Sequence, residues 1–155
     1  VGAEIGGAVK NVLAIACGIV TGKKFGDNAR AALITRGLAE MVRLGLAKGA
    51  KFETMMDLSG LGDLTLTCNG AQSRNMSLGM ALGEGRQLSD ILAERRSVAE
   101  GVDTSRSMNA LAERLGVEMP ICDAINRILH QNENVDDVIR TLLRRPFRAE
   151  NPKLN

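Results

Sequence analysis

The stretch GGAVKNVLAIACGIVTG, Gly6 to Gly22, decides the fold. From Ile5 to Thr21 the only strongly polar residues are Lys10 and Asn11, side by side. A surface helix keeps a polar face for its lysines. No such face exists here, so the run predicts a helix enclosed by others, with Lys10 and Asn11 where a core should be. On a helix the neighbours of Lys10 at three and four positions are Gly6, Gly7, Leu13 and Ala14, none of which offers a carboxylate. Two readings stay open. Lys10 lies at a helix edge and snorkels to water, or it is held desolvated without a partner, which disfavours the charged form and suits a proton donor or acceptor. The segment alone favours the first.

Outward from that run, the composition bounds the rest. The 155 residues suffice for one domain with a real core, and 45% hydrophobic content is that of an ordinary globular protein. Twenty basic and 18 acidic residues leave a net charge of +2, so nothing in the total asks for a polyanion, and nucleic acid is not an expected partner. With no Trp or Tyr and three Phe, platforms for stacking bases are few. Cys17, Cys68 and Cys122 are odd in number and far apart, without CxxC spacing or clustered histidines. A disulfide framework or metal site therefore has little support, and a reducing, cytoplasmic setting fits best. The first run is interrupted by Lys10 and Asn11 and is rich in glycine, so it does not read as a membrane span.

Helical periodicity runs through almost the whole chain and no segment alternates like a strand, which predicts an all-α domain. Ile34, Leu38, Met41, Val42 and Leu46 form a stripe that starts at Asp27 or Asn28 and stops at Gly49. Another helix carries Met108, Leu111, Ala112 and Leu115, introduced by Asp103 or Thr104 and stopped by Gly116. Pro120 sits where a first-turn proline belongs. The cleanest pattern is Val135, Val138, Ile139, Leu142 and Leu143, with Asn134 as cap, Asp136 and Asp137 in the first turn and Pro146 as stop. Shorter helices are predicted at Phe52 to Leu58, Asn75 to Leu82 and Ser89 to Arg95.

A second stretch, GLGDLTLTCNGAQSRN from Gly60 to Asn75, is polar and dense in hydroxyl, carboxylate, guanidinium and amide groups. It lacks the third glycine and the preceding strand of a dinucleotide-binding turn. Ser73, Arg74 and Asn75 stand directly before a helical run. A helix N-terminus with free N–H groups and an arginine fork makes a good phosphate seat.

The segments GGAVKN, NARAALITRGLAEMVRLG, SGLGDLTLTC, QSRN and VAEGVDT, in this order and spacing, closely resemble the C-terminal substrate domain of bacterial NAD(P)-dependent glycerol-3-phosphate dehydrogenases. The resemblance covers nearly the whole chain. It implies a multi-helix domain of the 6-phosphogluconate dehydrogenase C-terminal-like type spanning residues 1–155, whose N-terminal Rossmann partner domain is absent from this sequence. It implies Lys10 as the general acid/base, and Lys10, Asn11, Asp63, Thr67, Ser73, Arg74 and Asn75 as contacts of glycerol 3-phosphate or dihydroxyacetone phosphate. Arg74, Val98 and Glu100 would approach the cofactor, NAD or NADP, which the absent domain would hold in the main. The same resemblance implies a role in phospholipid biosynthesis, and a homodimer is compatible with it. The chain by itself is expected to be inactive.

Two other functions stay open: the substrate domain of a related hydroxyacid dehydrogenase, and a non-catalytic helical module that binds through the basic segment RRPFR, Arg144 to Arg148. The remaining polar residues take ordinary readings. Arg36 and Glu40 at i, i+4 read as a surface pair, His130 as a solvated residue near a helix end, and Cys68 as unactivated.

Overall fold

The computed structural model describes residues 2–57, 73–95 and 99–145. Among them are eight helices and no strand, in the order α1 (Gly2–Gly22), α2 (Asp27–Ala47), α3 (Phe52–Asp57), α4 (Arg74–Gly83), α5 (Leu88–Glu94), α6 (Glu100–Leu115), α7 (Pro120–His130) and α8 (Val135–Arg144). The all-α expectation is met.

Helix α1 is the centre, packed against α2, α3, α4, α6 and α7. Every residue from Val12 to Val20 is buried, which explains why this helix is apolar all round. Glu4–Gly22 is long and apolar enough to cross a membrane by length and composition, but 67% of that window is buried inside this fold, as in the core helix of a bundle. Lys10 and Asn11 are half-buried, as a helix-edge position requires, although Val9 and Val12 on either side of them are buried.

The tightest packing is between α1 and α4, and it is made of backbone. A Cβ placed on Gly18 would lie 2.3 Å from the Met76 carbonyl oxygen, and one on Gly79 would lie 2.1 Å from that of Ile15. One turn on, Gly22 meets the Met80 carbonyl at 2.4 Å and Gly83 meets that of Ile19 at 2.3 Å in the same sense. Only residues without a side chain allow this approach. Contacts rise together along both helices, Gly18 against Met76 and Gly22 against Met80, so α1 and α4 run parallel.

Several helix ends follow local chemistry, although α2, α5, α6 and α7 start without a side-chain cap. Helix α2 begins at Asp27 and its terminal turn closes at Gly49, with φ +91°. Asn134 Oδ1 accepts the Asp137 N–H at 3.0 Å to cap α8, and Gly116 ends α6 in the left-handed region, φ 67°. Helix α6, however, starts at Glu100 behind Ala99, which has no capping side chain, so Asp103 and Thr104 lie inside it. Helix α7 starts at Pro120 as predicted, behind Met119, which makes no side-chain cap.

That uncapped end corrects the reading of Glu40. The proline has no N–H, and the N–H groups of Ile121 and Cys122 need acceptors. Glu40 of α2 supplies them, taking the first at 2.6 Å and the second at 3.3 Å. It is 1% exposed, no surface residue, and burial pushes its carboxyl up to about 7 although the two N–H groups and Arg43 pull it back. Arg36 turns elsewhere, donating from Nη1 to the Leu142 carbonyl at 3.1 Å. His130 is also corrected: it is half-buried and joins α7 to α6. Its Nε2 donates to the Val102 carbonyl at 2.7 Å, Arg106 Nη2 donates to Nδ1 at 3.0 Å, and Ser105 Oγ lies 3.1 Å from Nε2. Cys17 and Cys122 are buried and take part in no disulfide. Arg144 ends α8 and Arg145 lies 3.9 Å from Glu118, while residues 146–148 of the basic segment lie outside the described residues, as does Cys68.

Candidate functional site

The start of α6 ties together two segments far apart in sequence. A Cβ on Gly101 of α6 would stand 2.9 Å from the Asn11 carbonyl of α1 and 2.8 Å from Asn75 Oδ1 in the first turn of α4, so Lys10–Asn11 and Ser73–Asn75 lie near each other. There Ser73 is the N-cap, its hydroxyl accepting the Met76 N–H at 3.3 Å. Arg74 follows and is exposed. Its carbonyl is approached by Arg95 Nη1 at 3.4 Å, while Arg95 Nη2 donates to Ser77 Oγ at 3.0 Å, so a second arginine braces this turn.

A third helix closes the corner. The N–H of Gly101, in the first turn of α6, donates to Asn75 Oδ1 at 2.8 Å. Asn75 is 7% exposed, and this bond fixes its amide so that the NH2 group is its remaining handle. Asn11 Nδ2 donates to Glu100 Oε2 at 3.1 Å. A Cβ on Gly101 would meet Ile15 Cδ1 at 2.6 Å, Asn75 Oδ1 at 2.8 Å and the Asn11 carbonyl at 2.9 Å, so α6 starts wedged against both other helices.

Six of the expected site residues therefore sit on, or cap, three helices that meet here: Lys10, Asn11, Ser73, Arg74, Asn75 and Glu100. Asp63, Thr67 and Val98 lie outside the described residues. Nothing in the local sequence pattern signals the two links that tie the corner together, Asn11 to Glu100 and Asn75 to Gly101, which span 89 and 26 positions. A hint lay in the glycine directly after Glu100, since a glycine at a helix start marks close approach of something.

Chemically the corner offers an ammonium, a guanidinium, amide groups and the N-terminus of the ten-residue α4. The ammonium, the guanidinium, the helix N–H groups and the Asn75 NH2 donate, and they suit a small ligand rich in oxygen and negative charge. No group of His, Cys, Asp and Glu side chains among the described residues is arranged to hold a metal ion.

Fold and corner together define the class: an all-helical domain that encloses one apolar helix and presents a cationic, amide-lined end. Residues 1–140 match the family model described as NAD-dependent glycerol-3-phosphate dehydrogenase C-terminus, and the chain belongs to that family. It is 64% identical over 150 residues to the glycerol-3-phosphate dehydrogenase [NAD(P)+] of Parvibaculum lavamentivorans, a match covering 97% of this chain and 45% of the relative. The corresponding protein of Rhodospirillum rubrum is 63% identical over 150 residues, with 97% and 43% covered. The chain thus spans a little under half the length of these curated relatives. Among solved structures it superposes on the glycerol-3-phosphate dehydrogenase of Coxiella burnetii with a TM-score of 0.88 and 47% identity, over 93% of this chain and 44% of that one. The DsGPDH of Dunaliella salina, at 24% identity and TM-score 0.76, shares the fold, over 96% of this chain and 28% of that one.

Proposed function

We propose that residues 1–155 are the substrate domain of an NAD(P)-dependent glycerol-3-phosphate dehydrogenase, interconverting sn-glycerol 3-phosphate and dihydroxyacetone phosphate when joined to a Rossmann domain. The observation that carries the reading is the joining of Asn11 and Asn75 by consecutive residues at the start of α6, which brings Lys10–Asn11 and Ser73–Asn75 to one corner. A phosphorylated three-carbon substrate needs two things a short distance apart, a proton carrier at the carbonyl and a cationic seat for the phosphate. This corner has both kinds of group.

In this reading Lys10 gives a proton to the ketone oxygen as it becomes an alkoxide, and its charge stabilises that oxygen as it forms. In the reverse direction neutral Lys10 takes the proton of the substrate hydroxyl. Arg74, with the α4 N-terminus, holds the phosphate, and Asn75 presents the NH2 group left by its bond to Gly101. Ser73, whose oxygen already serves as the cap, keeps its O–H to donate. Asn11 lies beside Lys10, and Asp63 and Thr67 complete the set of substrate contacts. Anchoring the phosphate uses remote binding energy to hold the carbonyl in place.

Arg74 and Glu100 are both exposed at the corner, which fits a nicotinamide dinucleotide laid across it from another domain, with Val98 as a further contact. That group, when bound, supplies or accepts the hydride. Buried cysteines outside any disulfide, Cys17 and Cys122, support a reducing, cytoplasmic setting, and the product would feed phospholipid synthesis.

The test is a hybrid in which this chain replaces the matched segment of the Parvibaculum lavamentivorans relative. It should reduce dihydroxyacetone phosphate with NADH or NADPH. In that hybrid Lys10→Met, which keeps the stem, should lower kcat by at least about 10², the scale of general acid/base catalysis, with a smaller change in KM. Near-normal kcat would return Lys10 to the snorkelling reading.

A further inference from the structure

Two consecutive residues at the start of α6 grip two asparagines on two different helices. Glu100 receives the Nδ2 hydrogen of Asn11 at 3.1 Å, and Gly101 gives its N–H to Asn75 Oδ1 at 2.8 Å. Each bond has a chemical consequence beyond its strength. A carboxylate only accepts and a backbone N–H only donates, so each bond decides which way round an amide faces. Glu100 turns the Asn11 amide so that its NH2 points to α6 and its Oδ1 is left for other partners. Gly101 does the opposite to Asn75, holding its oxygen and leaving its NH2.

The two asparagines thus arrive at the corner with complementary free ends, an acceptor beside Lys10 and a donor beside Arg74. An acceptor there suits the hydroxyl hydrogens at the reacting end of a substrate, and a donor suits its phosphate. The wedge at Gly101 keeps this arrangement in place. With its missing Cβ barred by Ile15 Cδ1, Asn75 Oδ1 and the Asn11 carbonyl, α6 cannot carry a side chain there without leaving both partners.

We propose that the first turn of α6 is a positioning clamp: Glu100 acts on the reaction through Asn11, and Gly101 through Asn75, by fixing which end of each amide meets the substrate. This rests on the substrate-domain reading above. It assigns Glu100 a role separate from the cofactor contact that family resemblance implies, and gives Gly101 a role in the site.

The hybrid enzyme separates the possibilities through steady-state kinetics with both substrates varied, on Glu100→Ala, Glu100→Gln, Asn11→Ala and the double variant Glu100→Ala/Asn11→Ala. If Glu100 orients Asn11, Glu100→Ala should lower kcat/KM for dihydroxyacetone phosphate by at least about ten-fold, since a misplaced contact of about 1 Å can cost 10²-fold. Because Glu100 also faces the cofactor in this reading, the comparison is read at saturating nicotinamide cofactor, where a loss that acts through Asn11 persists and a loss of cofactor contact does not. Glu100→Gln keeps an accepting oxygen and should recover most of that loss. Adding Glu100→Ala to Asn11→Ala should cost almost nothing further, because the group it acts through is gone. Glu100 is exposed, so these substitutions leave the fold standing, and matching thermal melts check it. Additive losses, or a rise confined to the cofactor KM in both Glu100 variants, would overturn the clamp while leaving the substrate-domain reading intact. A parent hybrid that does not turn over dihydroxyacetone phosphate would overturn that reading and the clamp with it.

Discussion

Replacing Gly18 by alanine adds one methyl group to α1, and the structure says where it goes. The new Cβ would stand 2.3 Å from the Met76 carbonyl oxygen and 2.8 Å from both the Gly79 Cα and the Met80 nitrogen. All three are backbone atoms, so no rotamer can yield. Relief requires α1 and α4 to part by about 1 Å, and a gap of that size forfeits a quarter to a half of each dispersion contact along the crossing. Overpacking of this kind costs about 1–3 kcal/mol, and a rigid backbone obstacle belongs at the upper end. Alanine is better than glycine in a helix by about 1 kcal/mol, which offsets part of it. The net expectation is a loss of about 2 kcal/mol, or about 4–8 °C in Tm for a chain of this size. Gly7 on the same helix is the control, because a Cβ there meets nothing within 4 Å. Gly7→Ala should keep the propensity gain and stabilise by about 0.5–1 kcal/mol. Urea and thermal unfolding of the two variants, followed by far-UV circular dichroism, measure both signs. Shifts of the same sign, or a Gly18→Ala chain as stable as the parent, would refute the backbone-contact account of the α1–α4 crossing.

Two further predictions concern charge. Burial raises the Glu40 carboxyl from 4.5 to about 7, so between those values the folded chain keeps a proton that the unfolded chain has lost. Its contribution is fully present below about pH 4.5 and is lost as pH rises through 7, a change on the order of 3 kcal/mol. Glu40→Gln should flatten the dependence of Tm on pH between 5 and 8, and equal slopes in variant and parent would contradict the assignment. In the hybrid enzyme Arg74→Ala should weaken glycerol 3-phosphate far more than unphosphorylated glycerol in kcat/KM, with Arg74→Lys recovering only part, since an ammonium lacks the planar two-point geometry. Equal losses on both substrates would remove Arg74 from the phosphate seat and reopen the hydroxyacid alternative.

Local chemistry was legible in the sequence and its long-range use was not. Asn134 caps its helix, Pro120 opens another and Gly116 closes a third because each effect is decided within a few residues. The polar residues of the corner were recognisable by type and by family likeness, but the bonds that hold Asn11 and Asn75 depend on where α6 begins. That beginning carries no side-chain cap to announce it. Glu40 misled because a pair at i, i+4 describes one helix alone, whereas its partner is the N-terminus of α7, 81 positions on. A clue was present: Leu33, Gly37, Glu40, Met41 and Leu44 fall on one buried face of α2, so the carboxylate interrupts a core stripe. His130 was misread for a related reason, since nothing in its own helix foretells Ser105 and Arg106.

The glycine contacts between α1 and α4 also set a ruler. Most helix pairs are spaced by side chains, whose rotamers and sizes can be traded to widen or narrow a gap. Here the spacing is fixed by main-chain atoms, and glycine has no atom left to remove. The width between the Lys10 helix and the Arg74 helix is therefore already at its floor. Single substitutions can only increase it, and each increase loosens the core before it enlarges the corner. A change of ligand size has to be made along the helices or in the segments that join them, because across them the dimension has no slack in the one direction and is costly in the other.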